Sequence, residues 1–173
     1  RINQFYMETS QNMAKYQGLK AAGKEIELKY LGVYVLTVTD NSTFKGILNI
    51  ADTVTAVNDK TFESSKEMVD YVNSQTLGDK VKVTYQEDGK VKTAEGKIIT
   101  LENGKNGIGI GLIDRTEVSS DVPIKFSTAG IGGPSAGMMF SLSIYTQIAD
   151  PTLRNGRIIA GTGSIDRDGN VGD

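Results

Sequence analysis

Apolar positions recur at near-helical spacing from the start of the chain. Ile2, Phe5, Tyr6, Met13, Tyr16 and Leu19 fit one face of an amphipathic helix over residues 3–22. No Pro interrupts that stretch, and Gly23 supplies a C-terminal stop. From residue 25 the period shortens to two. EIELKY alternates, GVYVLTVTD continues as a β-branched strand, and Asp40 to Ser42 form a turn. ILNIADTVTAVNDKTF then predicts two short strands, punctuated at Ala51-Asp52 and Asn58-Asp59. SSKEMVDYVNSQTLGD predicts a helix opened by a capping box between Ser64 and Glu67, with Met68, Val69 and Val72 as its apolar stripe. KVKVTYQEDGKVKTAEGKI is a hairpin around Asp88-Gly89, a pair suited to a tight turn with positive φ. Residues 25–99 therefore read β-β-β-β-α-β-β, an α+β module.

The pattern then loosens. LENGKNGIGIGLIDRTEVSSDVP is rich in Gly, Asn and Ser and predicts a boundary near residues 101–107. Beyond it the alternation predicts strands at Ile108 to Leu112 and Val122 to Ser127. A helix is expected from Ser135 to Ile148, then a turn at DPTLRNG, a strand in RIIAGTGSID and a hairpin opening at RDGNVGD. The expected organisation is an N-terminal helix over 1–24, a module over 25–100 and a further domain over 101–173.

Composition narrows the chemistry. The chain has 173 residues, 19 basic and 21 acidic, for a net charge of −2, and no basic stripe points to nucleic acid. Cys is absent, which excludes disulfides and thiolate metal sites. His is absent too, so a Ser-His-Asp triad and His-ligated zinc are excluded. Acid–base work near neutral pH falls to a carboxylate or to a lysine kept neutral by burial. No apolar run reaches the ~18 residues of a membrane span, while a start at Arg1 leaves room for a removed targeting or anchoring segment. GIGIGL lacks a full dinucleotide fingerprint, and DRDGN has its glycine too early for a calcium loop. No metal site and no cofactor is expected.

YLGVYVLTV has the shape of a carboxylate-binding loop running into an open-edged strand, and LNIADTVTAVNDKTF is similar to the L-x-x-G-D-x-I-x-x-V-N-G run of PDZ domains. Residues 25–99 thus resemble a PDZ domain, with Ala51 and Asp59 standing where the family prefers Gly. The resemblance implies β-augmentation, in which a peptide adds a strand to an exposed edge while loop N–H groups hold its terminal carboxylate. It implies that Leu31, Gly32, Val33 and Tyr34 form the loop and edge. Met68 and Val72 would line the side-chain pocket; the same residues could simply fill a core.

In AGIGGPSAGMMFSLSIY, Ser135 follows Pro134 at the start of a helix, where unpaired N–H groups and the dipole can stabilise an oxyanion. A capping serine would look the same locally. GPSAG, the apolar helix and RIIAGTGSIDRDGNVGD together resemble the Lon-type peptidase domain over residues 108–173. A PDZ-like module before such a domain is similar to the bacterial, membrane-anchored Lon-like proteases without an ATPase module. The implied fold class is α+β: an N-terminal helix, a PDZ-like module, then the N-terminal part of a Lon-type domain. The resemblance implies an ATP-independent serine endopeptidase acting on proteins, with Ser135 as nucleophile supported by Ala136 and Thr162. It also implies membrane tethering with an extracytoplasmic soluble part, and a ring-forming oligomer. Ser164 replaces the family's usual Glu. The family's catalytic Lys follows a Gly-Gly pair that would come after Asp173. Lys125, the last lysine, sits between Ile124 and Phe126 and is expected to face solvent. These 173 residues alone are therefore expected to be inactive, and a non-catalytic peptide-binding adaptor is the alternative.

Overall fold

The structure, a computed structural model, describes residues 2–127 and 133–172. Helix α1 (Ile2–Ala21) leads into β1 (Glu27–Val38), β2 (Thr53–Val57), α2 (Ser65–Asn73), β3 (Lys80–Glu87) and β4 (Lys90–Lys97). There follow the short β5 (Ile99–Thr100) and β6 (Asn106–Gly107), the long β7 (Ile110–Ser119), α3 (Gly137–Ile148), β8 (Ser164–Ile165) and β9 (Val171–Gly172). The chain divides into two compact units. One is Tyr30–Arg115; the other combines residues 1–29 with residues 116–173.

The Tyr30–Arg115 unit is built on a sheet of order β4-β3-β2-β1-β7, with β1, β2, β3 and β4 successively antiparallel. Val33, Val35, Val54, Val57, Val81 and Val83 form one apolar face, on which Phe44, Met68, Val72 and Ile98 pack. Complete burial of so many branched side chains on one face fixes the register, because a one-residue slip would turn them all to water. The β3–β4 hairpin pairs residue for residue from Lys80–Lys97 to Glu87–Lys90, and Asp88 and Gly89 hold φ of 49° and 78° at its tip.

Local sequence signals and structure differ at three places in this unit. EIELKY and GVYVLTV are one strand, not two, because Gly32 carries the chain through φ 134° without a turn. ILNI is not a strand: Phe44 and Leu48 bury on one side of successive turns, with the Leu48 N–H donating to the Phe44 carbonyl at 3.0 Å. The α2 cap is made on one side as expected, Ser64 accepting from the Glu67 N–H at 3.2 Å. The Glu67 carboxylate, however, returns to the Glu63 N–H at 3.0 Å rather than to Ser64.

In the other unit α1 packs on α3 so closely that a Cβ on Gly18 would lie 2.7 Å from Ile144 Cβ. Residues 122–127 make no strand, although Ile124 and Phe126 are half-buried and Lys125 is exposed, as alternation predicts. Residues 157–163 likewise stay outside any strand, leaving β8 and β9 as a two-residue ladder around the Asp168-Gly169 turn. Neither stretch finds a paired neighbour among the described residues, and alternation without a partner does not make a sheet. Among the described residues no helix is long and apolar enough to cross a membrane, and no cluster of acidic side chains is placed to hold a metal ion.

Candidate functional site

β7 ends the sheet, so one of its edges pairs with β1 and the other is open among the described residues. α2 lies alongside, and between them is a cavity of about 140 Å³ lined by Met68, Val69, Val72, Ile108, Ile110 and Leu112, among others. Met68 and Val72 are almost fully buried, whereas Val69 is 36% exposed and forms the rim.

One end of this groove is closed by residues 106–109. Asn106 Nδ2 donates to the Gln75 carbonyl at 2.8 Å. The Ile108 carbonyl accepts from Ser42 Oγ at 2.6 Å, and the Gly109 carbonyl from the Thr39 N–H at 2.8 Å. Both carbonyls thus face the β1 side. Planar trans peptides oppose each carbonyl to the following N–H, so the N–H groups of Gly109 and Ile110 are aimed at the open edge. Gly109 sits at φ 72°, and a Cβ there would fall 2.5 Å from Thr39 Oγ1. Only glycine fits.

Leu31, Gly32, Val33 and Tyr34 do not form this edge. They lie in β1, between β2 and β7, with Val33 paired to Val54 and Tyr34 to Thr53. Val33 and Tyr34 are buried. Gly32 has a packing reason instead, since a Cβ would fall 2.2 Å from the Val54 carbonyl oxygen. The expected loop and edge move from β1 to residues 107–112. Their signal was GIGIGL, in which glycine alternates with groove-facing Ile108, Ile110 and Leu112. Read for nucleotide chemistry, it went unrecognised.

The second unit carries the serine. Gly133 at φ 87° precedes a single 3-10 turn, Pro134–Ala136, that feeds directly into α3. The Ser135 side chain is exposed. Its carbonyl accepts from the Gly163 N–H at 2.6 Å and from Thr162 Oγ1 at 3.3 Å, and the Met138 N–H donates to the Gly163 carbonyl at 3.0 Å. Ser135 and Thr162, far apart in sequence, are therefore laced together, with Ala136 half-buried between serine and helix. Ser10 of α1, which sequence reasoning did not single out, donates to the Pro134 carbonyl at 3.2 Å. The glycine residues just before Gly133 lie outside the described residues. A larger cavity of about 460 Å³, between residues 122–127 and α3, includes none of these site residues.

An open sheet edge beside a helix, over an apolar pocket and ending at a glycine-bearing loop, has the geometry that strand addition by a peptide requires. The family model of the PDZ domain matches residues 6–98, more than half of the chain, and the chain belongs to that family. Among solved structures it is similar to the PDZ domain of the SdrC-like protein from Listeria monocytogenes, at 35% identity over 50% of this chain and 93% of that one, with a TM-score of 0.47. It is also similar to the PDZ domain of the SdrC-like protein from Listeria innocua, at 38% identity over 47% and 92%, with a TM-score of 0.45. No curated protein matches it. Membership in the family makes peptide or protein partners the business of this module.

Proposed function

We propose that the Tyr30–Arg115 unit captures the free C-terminus of a protein chain in the groove between α2 and β7, and that Ser135 is the nucleophile of a Lon-type serine endopeptidase. The observation that carries the first half is the aim of the Gly109 and Ile110 N–H groups at the end of an apolar groove. A carboxylate there accepts two N–H bonds while its own side chain enters the pocket formed by Met68, Val72, Ile108 and Ile110. Labelled peptides ending in valine test it by fluorescence anisotropy. The free acid binds, and the C-terminal amide binds at least tenfold more weakly. Equal binding of the two overturns carboxylate capture.

The protease half rests on the resemblance of GPSAG and the Thr162-Gly163 stretch to Lon-type domains. It is supported by the exposed hydroxyl beside a helix start and by the bonds that join Ser135 to Thr162 and Gly163. In this reading a neutral lysine takes the serine proton, and no lysine follows Ser135 in these 173 residues. Membrane tethering, an extracytoplasmic location and ring assembly belong to the same proposal. Cleavage of an unfolded protein by a chain extended through the lysine-bearing segment is expected, and Ser135→Ala abolishes it. A folded extended chain whose cleavage equals that of Ser135→Ala overturns the protease and favours the second reading, a non-catalytic peptide-binding adaptor, to which Ser164 in place of Glu lends weight.

A further inference from the structure

Side chains alternate along a strand, so Ile110, Leu112 and Asp114 of β7 share one face. Ile110 and Leu112 line the groove. The Asp114 carboxylate, half-buried, therefore stands on the groove face one repeat beyond Leu112, at the end away from the glycine loop. Tyr30 reaches the same region from β1. Its ring packs on the apolar core and its hydroxyl is buried without a hydrogen-bond partner among the described residues. Burial first, then the nearby carboxylates of Asp114 and Glu67, hold its acidity well below that of an ordinary tyrosine. Glu67 comes from the first turn of α2. Arg115, the next residue of β7, belongs to the opposite face, where it donates to Thr53 Oγ1 at 2.8 Å and stacks on Tyr34. The groove is thus polarised, with N–H donors at one end and two carboxylates at the other.

A peptide antiparallel to β7 with its last residue opposite Ile110 sets the fourth residue before the last opposite Asp114. Residues separated by an even number along the peptide face the groove together, and four residues extend roughly 13–14 Å. We propose that the groove selects C-terminal tails carrying Lys or Arg at the fourth residue before the last, where the cation meets Asp114 and Glu67. The proposal rests on the C-terminal capture argued above and names the class of partner for that site.

Valine-terminated labelled peptides carrying Lys, Ala or Glu at that position, and one carrying Lys at the third residue before the last, form the test by anisotropy titration at low salt. The Lys peptide is expected to bind at least tenfold tighter than the Glu peptide. The preference shrinks at least threefold in Asp114→Asn, shrinks with added salt, and is lost when Lys moves to the outward-facing third position. Glu67→Gln, which keeps an acceptor for the Glu63 N–H, gives the same readout should Asp114→Asn fail to fold by circular dichroism. If the valine peptides bind but charge makes no difference, or the preference survives both variants, the charge proposal is wrong and C-terminal capture stands. If no free-acid peptide binds, both fall together.

Discussion

Two residues of the PDZ-family module carry opposite errors of backbone chemistry. Ala51 holds φ 83°, a region that costs an L side chain on the order of 1–2 kcal/mol, and its N–H is committed to the Val35 carbonyl at 2.9 Å. The next residue, Asp52, is buried; burial pushes its carboxyl up in pKa, partly offset by the Asn49 N–H it accepts at 2.8 Å. The turn is thus held by its hydrogen bonds against an unfavourable side chain. Ala51→Gly is expected to stabilise the unit by about 0.5–1 kcal/mol, the strain relieved less the entropy glycine adds to the unfolded chain. Gly32 is the converse. At φ 134°, with the Val54 carbonyl 2.2 Å from any Cβ, Gly32→Ala is expected to cost about 2–4 kcal/mol. Urea unfolding of the two variants checks both signs. Similar midpoints for the two would show that neither backbone conformation is as strained as its angle says.

At the scale of elements, what the sequence disclosed was whatever depends on neighbours in sequence. The extent of α1 with Gly23 at φ 68° after it, the Ser64 cap, and the Asp88-Gly89 hairpin are local physics and were legible, whereas the buried face of α1 includes Ser10, Ala14 and Gly18, which apolar spacing does not mark. The order of strands was not. Whether β1 is an edge depends on β7, which arrives some seventy residues later and covers it. Nothing within YLGVYVLTV records that event. The glycine in that stretch is expected in a ligand-binding loop, but its φ of 134° answers instead to the close approach of β2. Phe44 and Leu48 illustrate a second limit, since apolar residues four apart among β-branched neighbours fit a turn as well as a strand. At the candidate sites Met68 and Val72 line the groove, while Ile108, Gly109 and Ile110 were missed because their chemistry lies in carbonyl directions fixed by Ser42 and Thr39.

For the whole molecule, the division of the chain has a consequence for independent folding. Every residue of the main apolar core lies between Val33 and Ile108, and the partly buried Tyr30, Ile110 and Leu112 that pack on it are also inside Tyr30–Arg115. The groove, its glycine loop and both carboxylates at its far end fall within the same limits. A continuous stretch that contains its whole core meets the condition for folding alone. The other unit is discontinuous, with α1 before the inserted module in sequence and α3 after it, so neither arm buries its apolar face by itself. A fragment of residues 30–115 is therefore expected to unfold cooperatively and to bind the valine-terminated peptide within about threefold of the full chain's affinity. A fragment of residues 116–173 is expected to lack cooperative unfolding. Thermal melts by circular dichroism and the same anisotropy titration decide it. A disordered 30–115 fragment would mean that the module draws essential stability from residues outside its own core, and a cooperative 116–173 fragment would mean that α3 needs no partner from α1.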